Sequence, residues 1–495
     1  MQWAASVSAL AVAGPGRARL VQAAAAAGAE RRFQLNLLPS QKDVWDQQVW
    51  MARLGPKYTG NKAHSTFVEF LATAFKAAGC EVARDRYTLP RWDARRWSIT
   101  VTHGSGQSFG APVTSYFPYS GQTSAAGVTG GLVYAGRNPM FTLTGLQGKV
   151  VLIDFATNTR EWARVYQPWG INPPGETFPA SLRPARGAVN DLTPFQKAGA
   201  VGVILGWTDI SDANAADQYT PFSRPPQGIP GLYVGWETAA RLRALAGGDA
   251  TATMILEADV FPDTPTDTLI ATLPGASSDE VVIVNTHTDG PNATEENGAL
   301  GILALATYFS KIPRSERKRT LVFPLTTGHF AGPWVPSIRG VIEKHPDLIK
   351  RAVAAITVEH LGCREWMDST LRADAADGAR ETLLRYAATG KNEWSVAITP
   401  DKAMGRALVD ALQGSRDRAG VVNPVNGGWL GEGSSLSRAG IPTIGYIPQP
   451  NYLLAGSADG CIEKLSPELL HSQIQVFAKL LHAIEDVTAG QLKGA

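Results

Sequence analysis

The sequence predicts an α/β fold: a mostly parallel mixed sheet flanked by helices, interrupted by an inserted β-rich α+β unit. Three observations lead there. From Asp267 onward short apolar runs alternate with helical stretches, the pattern of strands joined by crossover helices. Between about residues 106 and 262 Gly and Pro become frequent and the strands short. A chain of 495 residues is also too long for one ordinary core. The expected organisation is an N-terminal lead over 1–36, a main α/β domain over 37–105 and 263–490, and an insert over 106–262.

The lead, "MQWAASVSALAVAG" followed by "LVQAAAAAGA", is small and apolar, but its first basic residue is Arg17. A signal peptide normally opens with positive charge. Export (periplasmic or secreted) is the expectation, and a cytoplasmic location the alternative. In "QKDVWDQQVWMARLG", Val44, Trp45, Val49, Trp50 and Leu54 recur at helical spacing; "NKAHSTFVEFLATAFKAAGCEV" is a second amphipathic helix, ending at Gly79, then a strand. "RYTLPRWDARRWSITVT" alternates like a strand pair. Within the insert, "GKVVLIDFA", "FQKAGAVGVILGW" and "IPGLYVGWETAARLRAL" read as strand, helix–strand and strand–helix units. Beyond it, TLIATLPG, VVIVNTHT, RTLVFPLTTG, AAITVEHLG and IPTIGYIP are strands, and helices are predicted over about 296–312, 334–349, 375–389, 402–413 and 465–487.

Composition narrows the function. Hydrophobic residues make up 44% and charged residues 18%, as in a soluble globular chain. With 46 basic and 44 acidic residues the net charge is +2, which supplies no electrostatic reason to expect nucleic acid or an anionic membrane. No apolar run reaches the roughly 18–20 residues of a transmembrane span. Cys80, Cys363 and Cys461 are too scattered for a disulfide framework. Nothing in the sequence sets the oligomeric state.

The chemistry gathers at strand ends. VVIVNT runs into His287-Thr288-Asp289, with Glu295 and Glu296 just beyond; His329 follows the next strand, and Glu359 and His360 a third. Sites in parallel sheets form at these carboxyl ends. A His with a carboxylate two residues on suits a metal ligand and its support. Glu295 and Glu296 also suit a helix N-terminus without any catalysis, and His329 a plain turn. Glu359 is costly to bury unless a cation faces it. Alternation along the strand puts His360 on the opposite face from Glu359. Asn292-Ala293-Thr294 fits a glycosylation sequon but lies inside this cluster, where a glycan would obstruct, and "GEGSS" lacks the spacing of a nucleophile elbow.

In these motifs the chain resembles the co-catalytic zinc aminopeptidase and glutamate carboxypeptidase family, which includes glutaminyl cyclases, and the insert looks like a protease-associated (PA) domain. The resemblance implies that His287 binds zinc, that Asp289 orients it, and that Glu296 in "EENG" holds the bridging position, where the family has Asp. It places Glu359 in "TVEHLG" at a further ligand, again for Asp. In "TTGHFAG" His329 replaces the family's general base and Phe330 a ligand. After "AGIP" no His follows, so the last ligand is missing. Glu432 falls where the family often has an acidic residue, though alone it reads as a Gly-rich loop charge. One site keeps His287, Glu296 and Glu359; the other keeps Glu296 alone. The implied protein is a hydrolase with a single divalent metal, zinc, acting on a peptide or small amide, with Glu295 or His329 moving the proton. Two rivals stand beside it: a lyase, cyclase or esterase using the same cluster, and a catalytically silent binding protein.

Overall fold

Ser40 accepts a hydrogen bond from Asp43 N and Asn61 one from His64 N, and these caps start the helices Gln41–Ala52 and Lys62–Ala77. The second helix buries Phe67, Leu71 and Phe75 on one stripe, with Val68 and Ala72 beside it. It packs on the strand Thr251–Leu273 and the helix Gly298–Ser310. Phe67 and Phe75 are 0% exposed, and burying such a ring stabilises the fold by about 1.5–3 kcal/mol. The computed structural model describes residues 32–104, 106–137, 143–157, 160–179, 181–182, 189–222, 224–374 and 380–492. Most of the N-terminal lead therefore lies outside the described residues.

The main sheet is mixed and flanked by helices. Its central strand, Ser277–His287, pairs in parallel with Arg319–Thr326 on one side and Ala352–Val358 on the other. Thr443–Pro448 continues in parallel; Trp394–Ile398 and then Arg418–Pro424 follow on that side. Because side chains alternate along a strand, the apolar run beginning at Val281 feeds two cores. Val282 and Val284 face the helices Lys62–Ala77, Gly298–Ser310 and Pro467–Glu485, whereas Val281 and Ile283 face Ile338, Val341 and Leu436. The helix Gly298–Ser310 is buried on almost every side, which explains why it is apolar all round rather than amphipathic.

Three expectations differ. The stretch "RYTLPRWDARRWSITVT" is part of one strand, Glu81–His103, which pairs along its length with Thr251–Leu273. The expected domain edges near 105 and 263 lie beside and on these two strands. Tyr166–Asn172, inside the expected insert, pairs with Arg418–Pro424 of the main sheet. Finally, the helix predicted over 375–389 is replaced where described: Arg364–Asp374 and Arg380–Asn392 form an antiparallel hairpin. Helix propensity differs by only tenths of a kcal/mol per residue among ordinary residues, and strand pairing overrides it.

The chain steps from the central strand to a neighbour on one side and then to one on the other. That reversal opens a crevice at the carboxyl ends of the strands. His287, His329, Glu359 and His360 all lie at it.

Candidate metal centre

The loop that leaves His287 is buried throughout, from Thr288 to Asn297. A buried loop must satisfy its own backbone, and Asn292 does much of this. Its Nδ2 donates to the carbonyls of Tyr452, Leu453 and Ala455 at 3.0, 2.8 and 3.1 Å. Its Oδ1 accepts from Thr294 N and Glu295 N. Asn292 is 0% exposed, so in the folded chain it holds the loop rather than a glycan. Gly298 starts the next helix so close to the strand Ala352–Val358 that a Cβ would lie 2.0 Å from the Val358 carbonyl oxygen.

Two histidines are preset as acceptors. His287 Nδ1 lies 2.9 Å from the Asp289 carbonyl oxygen and His360 Nδ1 lies 2.7 Å from that of Pro448. A carbonyl can only accept, so each Nδ1 carries a proton, and each ring when neutral presents its lone pair at Nε2. His360 reaches the site because its backbone is left-handed, φ +58°. The strand ends at Val358, so alternation no longer applies and Glu359 and His360 point into one space. The unusual torsion is held by Asn297, whose side chain donates to Leu361 O and accepts from Leu361 N, both at 2.7 Å.

The ligand atoms that converge belong to His287, Glu295 and His360, all within 4.8 Å of one another. His360 Nε2 is 3.1 Å from Glu295 Oε2 and 3.7 Å from Glu359 Oε2; His287 Nε2 is 4.0 Å from the latter. Glu359 is steadied by Glu432 N, which donates to its Oε1 at 3.0 Å. Among the described residues, His287 Nε2, His360 Nε2 and Glu359 Oε2 are buried without a hydrogen-bond partner. Lone pairs facing carboxylate oxygens in a buried site are repulsive unless a cation lies between them. Burial disfavours a charge on His287, yet Glu359, Glu295, Glu432 and Asp289 outweigh it and raise its pKa. Two imidazoles and two carboxylates are the donor set of a divalent cation such as zinc, and their two negative charges would neutralise it.

Glu296, expected as a ligand, is turned elsewhere. Its Oε1 is 2.6 Å from Lys57 Nζ, and both side chains are 0% exposed. Adjacent residues at a helix start point in different directions, and this one is held by Lys57, whose backbone also bonds to Gly290 in both directions. Burial alone pushes Lys57 down to about 7. Asp289 orients His287, but through its main-chain carbonyl. Its carboxylate accepts from Thr59 Oγ1, His329 N and Phe330 N, so it anchors the 329–330 turn. His329 stacks on His287 with ring centroids 4.1 Å apart and on Phe222 at 5.1 Å, and its Nε2 is 3.8 Å from Glu295 Oε1. Phe330 is buried with Tyr219 and Leu454 and offers no donor atom.

Glu432 is part of the site, although its glycines read as a plain loop. It accepts from Asn285 Nδ2, Thr326 Oγ1 and Ser337 Oγ. Burial pushes its pKa up to about 7, with His287 opposing and Glu359 reinforcing the rise. The local signal was an acid between two glycines ahead of a short helix. His64 had no signal at all. Its Nε2 lies 2.9 Å from Thr288 Oγ1, its Nδ1 accepts from Gly60 N, and burial lowers its pKa to about 4. A cavity of about 220 Å³ opens over the centre, bordered by Phe222, Glu295, His329, Arg339, Glu359 and His360 among others.

No family model matches the sequence, and no curated protein does either. Among solved structures, the chain is similar to a peptidase M28 precursor from Shewanella amazonensis, with 16% identity, 95% of this chain and 98% of that one covered, and a TM-score of 0.65. It is similar to the zinc aminopeptidase BSAP from Bacillus subtilis, with 16% identity, 90% and 95% covered, and a TM-score of 0.60. It is also similar to an aminopeptidase from Aneurinibacillus sp. strain AM-1, with 17% identity, 89% and 93% covered, and a TM-score of 0.56. At these identities the likeness establishes the fold, that of the zinc aminopeptidases.

Proposed function

From that fold and the converging side chains, we propose that this chain is a hydrolase carrying one divalent metal, zinc, and cleaving an amide bond in a peptide or small amide. His287, Glu295 and His360 would hold the ion, with Glu359 as the second carboxylate beside both imidazoles. This replaces Glu296 by Glu295 in the ligand set and adds His360. The observation that carries the reading is the pair of buried Nε2 lone pairs, each with its tautomer fixed by a carbonyl, facing carboxylate oxygens.

Zinc, when bound, polarises a carbonyl and lowers the pKa of water. The chain's own groups do the rest. His329 borders the cavity with a side chain 18% exposed, so it can take a proton from the attacking water and exchange it with solvent. Asp289 fixes the His329 backbone; Glu432 fixes Glu359. With Phe330 in place of a donor and no terminal His, one converging donor set is found among the described residues, which supports one ion rather than two. Phe222, from the 106–262 unit that we read as PA-like, walls the cavity by stacking on His329.

Elemental analysis after reconstitution tests this. Close to one zinc per chain is expected, with chelator-sensitive release of product from a panel of aminoacyl and peptide amides. Two equivalents, or none, would overturn it.

A further inference from the structure

A second cavity, of about 500 Å³, lies beside the metal centre, and Gln449 borders both. That volume is within the ordinary range of ligand sites. Its wall holds four carboxyl groups, Asp209, Glu365, Asp368 and Glu393, next to the apolar surfaces of Trp394 and Met367. Asp209 accepts from Thr157 N, and Asp368 from Ser211 N and Asn214 Nδ2, all uncharged donors. Neither has an Arg, Lys or His within ion-pair distance among the described residues. Glu365 has Arg418 at 3.7 Å. Burial pushes Glu393 up to about 8, so of the four it is the one whose burial most disfavours the anion.

Two further observations point to a ligand. Gln449 is 5% exposed, and its Nε2 is buried with no hydrogen-bond partner. A buried amide donor left unpaired costs about 1–3 kcal/mol, so a group that accepts from it is called for. Asp368 Oδ1 is likewise a buried acceptor without a donor. An orphan donor stands between the two cavities, and an orphan acceptor lines the acidic one.

We propose that this cavity is the specificity pocket of the enzyme and takes a cationic side chain, of the guanidinium or ammonium class, while Gln449 donates to a carbonyl of the same substrate. The assignment rests on the amide-hydrolase reading for its meaning but not for its test. The substrate enters the metal cavity with its scissile amide, passes its carbonyl along Gln449, and extends its cation towards Asp368 and Asp209. Trp394 and Met367 cover the aliphatic part of that side chain.

The test uses L-arginine amide and L-citrulline amide, which have side chains of the same length with and without the charge. Calorimetric binding to the full chain should favour arginine amide by at least ~10-fold, about 1.4 kcal/mol. Asp368→Asn should bring the ratio near 1. Gln449→Leu should weaken both ligands alike and leave the ratio unchanged, which a general loss of structure would not do selectively. Should Asp368→Asn fail to fold, Asp209→Asn carries the same expectation. A wild-type ratio near 1, or a ratio unchanged in the Asp variants that fold, overturns the proposal. Turnover of the matching coumarin amides separates the two readings. Binding preference without hydrolysis keeps the pocket and removes the amidase; hydrolysis without preference keeps the amidase and removes the pocket.

Discussion

Replacing Lys57 by Met should unfold the chain far more readily than removing its partner with it. Lys57 Nζ and Glu296 Oε1 are 2.6 Å apart and both side chains are 0% exposed. At an effective dielectric of 20, unit charges at that separation attract by about 6 kcal/mol. Relaxation and water entry reduce the net cost, and breaking a buried pair by removing one member typically destabilises by about 3–5 kcal/mol. Lys57→Met should therefore lose about that much in urea denaturation, because Glu296 is left charged in an apolar setting. The double variant Lys57→Met, Glu296→Leu should recover most of it, since apolar replacement of a buried pair is often close to neutral. The same preparations decide the chemistry. Zinc per chain should be unchanged in the double variant and in Glu296→Gln, and largely lost in Glu295→Gln. Loss of zinc from Glu296→Gln equal to that from Glu295→Gln would make Glu296 a ligand and refute the assignment of both residues.

Asn297→Ala frees Leu361 and with it the left-handed His360; metal affinity should fall by about 10–100-fold, measured by competition with a chromophoric chelator, while Asn297→Asp should retain more of it. His64 sets a pH dependence. Its native pKa, near 4, lies below its unfolded value of 6.5, so the unfolded chain binds more protons between them. The stabilisation is complete above about pH 6.5 and is lost as pH falls through about 4, a change of roughly 3 kcal/mol. His64→Asn should flatten stability over that window in denaturation series at fixed ionic strength. His329→Phe keeps the stacking on His287 and Phe222 but removes the proton carrier. Turnover of an accepted amide should fall by about 10²–10⁴-fold with zinc content intact, and unchanged turnover would take His329 out of the mechanism.

The sheet and its polar end were legible because they follow from short-range pattern. Apolar strands separated by helices imply parallel pairing, and a parallel sheet puts its chemistry where the strands end. That sufficed to gather His287, Glu295, His329 and Glu359 in one crevice. It did not suffice to choose between Glu295 and Glu296. Both are equally good acids at a helix start, and the choice depends on Lys57, more than two hundred positions earlier. His360 escaped for a related reason. Alternation holds only while the strand continues, and here it ends at Val358 under a left-handed turn imposed by Asn297. Glu432 and Gln449 lie in stretches without periodicity, so nothing local told which way they face.

What the sequence determined by itself was the kind of layer each segment joins, since residue period and helix capping are local. Tertiary structure alone decided which lone pairs meet. A loop's torsions are set by hydrogen bonds to distant segments, as Asn292 shows by bonding the carbonyls of Tyr452, Leu453 and Ala455. A shift of one residue in such a loop exchanges a carboxylate that faces the two imidazoles for one paired with Lys57, and no run of neighbouring residues encodes it.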